Sequence, residues 1–167
     1  MPEDLVSLAP PVPDAPWRLQ GEAVAFLAGP TTVRLLVHYT GSPVGPYDEH
    51  ALATLTWRGP HVFQMSVNLE ASRIGGRRIW GFPKTIENVL WRRDGSRISF
   101  RREGKRFDVR AFGLRFPLAL PFWTAQQKDD DWVRVPGHIR ARVRLAFRGP
   151  QLALVLDEFE MEILPPQ

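Results

Sequence analysis

The sequence contains no cysteine, so disulfides, thiolate catalysis and cysteine-held metals are all excluded. Lysine is almost as scarce: Lys84, Lys105 and Lys128 are the only three, and the other members of the 22 basic residues are arginines. No apolar run approaches the ~20 residues of a membrane-spanning helix. The start, Met1-Pro2-Glu3-Asp4, lacks the basic-then-apolar pattern of a secretion leader. A cytoplasmic protein with no membrane association is therefore expected. The four histidines, His38, His50, His61 and His138, share no ligand spacing, and no metal site is expected. No serine lies in a Gly-x-Ser-x-Gly context. Gly75, Gly76 and Gly81 form neither a phosphate loop nor a dinucleotide fingerprint, so no cofactor is implied.

What remains is an ordinary globular composition. The 167 residues are 44% hydrophobic and 11% aromatic, enough for one domain with a real core. A formal charge of +4 and a pI near 10.1 invite a nucleic-acid reading. Against it, the arginines are spread through alternating segments and interspersed with acids, as on a solvated sheet face. No nucleic-acid partner is expected.

Five prolines within residues 1–16 mark an extended lead-in, with a single domain expected over residues 17–167. Strands are read at residues 22–28 and 32–39, and residues 40–49 are too rich in Pro and Gly for regular structure. Residues 51–57 and 61–69 flank Arg58-Gly59-Pro60 as a hairpin. A short helical turn is read at 70–76, ending at the Gly75-Gly76 break. Residues 86–92, 97–102 and 106–112 form a meander, whereas 113–137, with three prolines, reads as a long irregular connection holding at most a short helix near 123–128. The last hairpin, 138–147 with 151–163, alternates strictly. A three-residue loop there sets Arg142 opposite Glu158, Ala141 opposite Phe159 and Arg140 opposite Glu160. The fold class expected is mostly β: an antiparallel β-barrel or cone enclosing a small-molecule pocket, with one or two short helices.

Chemistry concentrates between Gly75 and Glu87. Lys84 follows Pro83 and comes after Ile79, Trp80 and Phe82, with Arg77 and Arg78 upstream. Two readings stay open on these residues alone. A desolvated lysine beside other cations loses its proton near neutral pH and becomes a nucleophile. A lysine after a turn can instead lay its stem on Trp80 and keep its head in water. Glu49 is the acid to single out. It is either aimed into a cavity from a loop or, with Asp48 and His50, the start of a short helix.

The run Gly76-Arg77-Arg78-Ile79-Trp80-Gly81-Phe82-Pro83-Lys84 resembles the Gly-Arg-Glu-x-x-x-aromatic-Pro-Lys signature of the acetoacetate decarboxylase superfamily. The run Gly41–Glu49 resembles the small-residue segment ending in Tyr-x-Glu that precedes it. The resemblance implies a β-barrel or cone around a dry pocket in a homo-oligomer. It also implies a lysine that forms a Schiff base with a small keto acid, the imine serving as electron sink for loss of CO2. Carried over by position, Lys84 is the Schiff-base lysine and Glu49 the catalytic glutamate, its proton-transfer partner. Tyr47 and Arg77 match signature residues, and Trp80 and Phe82 join them as substrate-contact candidates. Three positions depart from the pattern. Thr85 replaces a second lysine, Arg78 replaces a glutamate, and Arg34, counted back without a gap, replaces a second active-site glutamate. Arg34 and Arg77 are thus candidates for binding a substrate carboxylate. The same cavity binding a small molecule without chemistry is the alternative.

Overall fold

A computed structural model describes residues 11–167. Its elements run β1 (Trp17–Leu27), β2 (Thr32–Gly41), β3 (Tyr47–Thr56), β4 (Gly59–Val67), α1 (Glu70–Trp80), β5 (Lys84–Ile86), β6 (Val89–Asp94), β7 (Arg97–Arg102), β8 (Lys105–Lys128), β9 (Asp131–Arg148) and β10 (Gln151–Ile163). The strands form one sheet in the order β5-β4-β3-β2-β1-β10-β9-β8-β7-β6. Every described neighbour pair is antiparallel except β4 with β5. The fold is therefore mostly β and cone-like as expected, with one helix, but its sheet is mixed and its backbone ladder is not closed. No helix among the described residues is long and apolar enough to cross a membrane.

Side chains close what the ladder leaves open. Gln126 on β8 accepts from Val62 N (2.9 Å) and donates to Val62 O (3.0 Å) on β4. A carboxamide carries both a donor and an acceptor, so one buried glutamine replaces a stretch of neighbouring strand. At a second seam Asp48 of β3 accepts from Trp91 N of β6 at 2.9 Å, and Asn68 donates to Val89 O at 3.2 Å.

Strand alternation sends successive side chains to two separate cores. Val37 and Tyr39 of β2 join Tyr47, Val67, Trp80 and Phe159 on one face. Leu36 joins Phe26, Trp91, Phe100, Phe107 and Val155 on the other, where β6, β7 and the first half of β8 fold over.

The structure corrects several expectations. Residues 113–137 are not irregular, and no helix forms near 123–128: they complete β8 and open β9, the longest hairpin of the fold. Pro117 and Pro121 are tolerated because β7 pairs only with residues 105–110, so beyond that point β8 is a sheet edge with no ladder bond to lose. Tyr47, Asp48 and Glu49 belong to β3, not to a loop or helix start. Helix α1 does not break at Gly75-Gly76 but runs on to Gly81, whose φ of 72° gives the left-handed cap. Of the lead-in expected over 1–16, residues 1–10 lie outside the described residues, and 11–16 carry neither helix nor strand.

The last hairpin is a mixed result. Its loop has two residues, since Arg148 pairs with Gln151, yet Arg142 faces Glu158, Ala141 faces Phe159 and Arg140 faces Glu160 as expected. A bulge between Leu156 and Glu158 supplies the missing residue, Asp157. That carboxylate is buried and receives Arg93 (2.5 Å), Arg144 (2.7 Å) and Arg115 (2.9 Å), joining β6, β8 and β9 to β10.

Burial disfavours the charged form of Asp157, but the hydrogen bonds from Arg144 and Arg93 outweigh it, and its pKa lies below that of an ordinary aspartate. A depressed acid stabilises the fold above its unfolded pKa, and that contribution is lost as pH falls through the folded value. Asp157→Asn should cost about 3 kcal/mol near neutral pH, because three guanidinium partners lose their anion. The difference from wild type should shrink as the pH drops below the ordinary aspartate value. Denaturant unfolding at a series of pH values checks this, and a gap that stays constant into acid would contradict it.

Candidate functional site

Lys84 opens β5, with Met65 of β4 as its parallel partner. Strand β3 brings Glu49 to the same face, opposite Val67. Both side chains are buried, Lys84 at 4% and Glu49 at 2% exposure, and Lys84 Nζ stands 3.1 Å from Glu49 Oε2. This approach lies off hydrogen-bond geometry, so Oε2 keeps a free acceptor direction. The ammonium instead donates to Ser72 Oγ at 2.9 Å. The other oxygen of Glu49 accepts from the Tyr39 hydroxyl at 3.0 Å. The Tyr47 ring lies 5.3 Å from Nζ and 4.5 Å from the Tyr39 ring, completing the wall.

The glycine pair of α1 now has a physical role. A Cβ on Gly76 would come within 2.6 Å of Lys84 Cδ and Cε, and one on Gly75 within 2.6 Å of the Trp17 ring. The bare helix face is what lets the lysine stem and Trp17 pass beneath it. Ser72, one turn earlier on the same face, meets the head of the lysine. Neither Ser72 nor Tyr39 was singled out from sequence. The spacing of Ser72 and Gly76 at i and i+4 was the available sign for one of them.

The remaining candidates separate. Tyr47 is in the site. Arg77 is exposed, and its Nε donates to the backbone oxygen of Lys84, so it holds the strand end and leaves Nζ alone. Trp80 is buried edge-on against Trp17 and spends its indole N–H on Leu164 O. Phe82 packs 5.8 Å from Trp80. Arg77 and Phe82 both line a neighbouring cleft of about 430 Å³, whose described lining does not include Lys84 or Glu49. Arg34 lies on the opposite face of the sheet from Lys84. It bonds His50 at 2.6 Å and covers the Phe107 ring at 4.8 Å. Arg78 reaches Val12 O and Asp14, and Thr85, exposed, turns its hydroxyl to Met65 O.

With none of these cations at Nζ, the electrostatics differ from an arginine-flanked, neutral lysine. Burial disfavours the Lys84 ammonium, but Glu49 and Tyr47 outweigh that cost and hold its pKa above the usual lysine value. Burial beside Glu49 pushes Tyr39 well above an ordinary phenol, and burial likewise raises Tyr47. At neutral pH Lys84 therefore rests as an ammonium, with two neutral phenols around it.

No family model matches the sequence, and no curated protein matches it. Solved structures do. Acetoacetate decarboxylase from Legionella pneumophila aligns with a TM-score of 0.61 at 11% identity, over 98% of this chain and 92% of that one. A second acetoacetate decarboxylase structure gives 0.57 at 12% identity, over 97% and 91%. The fold is that of acetoacetate decarboxylase. The enduracididine biosynthesis enzyme MppR, complexed with pyruvate, shares it with a TM-score of 0.57 at 10% identity, over 98% and 92%. At such identities the likeness to acetoacetate decarboxylase is one of fold.

Glu49→Gln removes the anion nearest Lys84 and leaves only Tyr47 to oppose the effect of burial. The Lys84 titration midpoint should then fall below that of the wild type. NMR of 15N-labelled lysine side chains across a pH series reads this directly, with only three lysines to assign. An unchanged midpoint would show that Glu49 does not set the charge of Lys84.

Proposed function

We propose that the protein is an acetoacetate-decarboxylase-like enzyme whose Lys84 forms a Schiff base with a small keto acid or related carbonyl substrate. The observation that carries this reading is the buried Lys84–Glu49 pair, 3.1 Å apart, in a fold shared with acetoacetate decarboxylase. A buried lysine beside a proton acceptor is the minimum equipment for imine chemistry.

Glu49 takes the proton from the Lys84 ammonium, and the freed amine adds to the substrate carbonyl. The carbinolamine loses water, its oxygen leaving with a proton returned by Glu49. In a β-keto acid the protonated imine accepts the electron pair of the breaking carbon–carboxylate bond, and CO2 departs. The enamine then takes a proton from solvent water on carbon, and water adds to the imine to release the product and restore Lys84. Tyr39 fixes Glu49 through Oε1, leaving Oε2 to carry the proton. Ser72 keeps Nζ aimed during the exchange. In this reading lysine, glutamate and solvent water supply the sequence. The pyruvate held by MppR supports a short oxo acid as the substrate class.

The working unit in this reading is the single domain 17–167, acting in the cytoplasm. Self-association into a homo-oligomer belongs to it as well. Leu114, Phe116, Leu118 and Leu120 form an exposed apolar row on β8, of the kind that interfaces cover. Arg34 has no part in substrate binding here, being on the other face of the sheet.

The second reading, small-molecule binding without chemistry, is favoured by one fact: the raised pKa of Lys84 keeps its amine protonated. Borohydride reduction separates the two. With acetoacetate or pyruvate present, the enzyme reading expects one reduced adduct per chain, mapped to Lys84 by peptide mass. Its rate should rise from neutral toward alkaline pH as Lys84 loses its proton. Lys84→Met combined with Glu49→Gln removes both charges together, keeps the core neutral and should abolish the adduct. No adduct across a broad panel of carbonyl compounds, or adducts only at Lys105 or Lys128, would leave the binding reading in place.

A further inference from the structure

Arginines on one face of a sheet are neutralised where acids stand opposite them across the strands. In the β9–β10 hairpin the register does place Arg142 and Arg140 opposite glutamates. Between β7 and β8 of the meander it sets arginine against arginine. Arg101 pairs with Arg106, and Arg97 pairs with Arg110. Like charges directly opposite each other on one face destabilise a sheet. Both pairs are exposed, on the face turned away from the second core, and Arg92 lies between them on β6. Two acids share this face: Asp94, which is the β6 partner of Arg97, and Asp108, which is the β8 partner of Ser99. Among the described residues only the Arg106–Asp108 ion pair forms there, at 2.9 Å. The surface is concave, a groove of about 650 Å³ lined by all five arginines.

The spacing selects among anions. Arg97 and Arg101 are four residues apart on β7, so the two like-charged pairs stand about 13 Å apart along the strands. One compact phosphate or carboxylate reaches only one pair. An extended chain of anionic groups reaches both. At the Arg110 end the groove is closed by Phe147, which is the β9 partner of Arg110. Phe147 is 47% exposed and stacks on Phe112 at 4.8 Å, with the planes 11° apart. A row of guanidinium groups that ends in an exposed aromatic stack matches a polymer alternating phosphates with flat bases. Arginine serves this better than lysine because its planar fork binds phosphate in two places.

We infer that the outer face of β6–β8 is a binding groove for single-stranded nucleic acid, with the arginines on the phosphates and Phe147 stacked on a base. The groove shares no residue with the Lys84 site and does not rest on the imine reading. Fluorescence anisotropy of a labelled single-stranded oligonucleotide, titrated with the full chain at several salt concentrations, tests it. Binding should weaken with a log–log salt slope of about −3, from about −0.7 for each of four phosphates engaged. Arg97→Ala with Arg110→Ala, and separately Arg101→Ala with Arg106→Ala, should each reduce that slope by about 1.4. Phe147→Leu should weaken binding about tenfold at an unchanged slope. Thermal melts confirm that these surface variants remain folded, and Lys84 trapping should be unaffected in them. No binding at low salt, binding indifferent to the arginine substitutions, or an equally strong response to polyglutamate or heparin would overturn the proposal.

Discussion

Two opposite charges rest 3.1 Å apart where almost no solvent reaches them, and the local architecture follows from that constraint. Removing a carboxylate and an ammonium from water is tolerable only if their remaining polar directions are satisfied. Ser72 meets the ammonium, Tyr39 meets the carboxylate, and two aromatic rings fill the remaining volume. The helix that brings Ser72 must pass close over the lysine stem, which requires glycine at 76. The pair also sets the charge of the lysine: with Tyr47, Glu49 outweighs the effect of burial and keeps Lys84 protonated at rest.

The β character and the hairpins were legible because they depend on local pattern, and the family resemblance pointed to Lys84 and Glu49, which the fold brings 3.1 Å apart. What was hidden depends on register. Arg34 looked like a companion of Glu49 when counted back along the chain. Val37 is the residue that faces Glu49 across β2 and β3, however, and Arg34 is an odd number of steps from it. Parity sends its side chain to the other core. That parity could not be fixed while the irregular residues between the two strands had unknown length in the ladder. The prolines of β8 misled for a related reason, since whether a strand is an edge is decided by partners far away in sequence.

Bulge and loop illustrate the same limit more sharply. Cross-strand pairs near the middle of the last hairpin were right although the loop length was wrong, because an extra residue at Asp157 compensated for the shorter loop. Burial of Phe159 and the Arg–Glu register constrained the pairing, and the route to it was left free. The chain used the extra residue to bury an anion among three arginines from other strands. Arginine thus has opposite uses on this sheet: neutralised across strands on β9–β10, gathered around a buried acid at Asp157, and set against itself on the meander.

The closure by Gln126 changes what opening the molecule means. In a barrel sealed by a backbone ladder, two strands part only by breaking a row of bonds in concert. Here β4 is fastened to β8 by two side chains: Gln126 holds both backbone groups of Val62, and His61 Nδ1 meets Ala125 O at 2.8 Å. Such a clasp is released by rotating two side chains, at a cost of about 3 kcal/mol for three hydrogen bonds, while every strand keeps its own partner. The cone is thus a sheet with a removable fastening, and its interior can be reached by local breathing well below the free energy of unfolding.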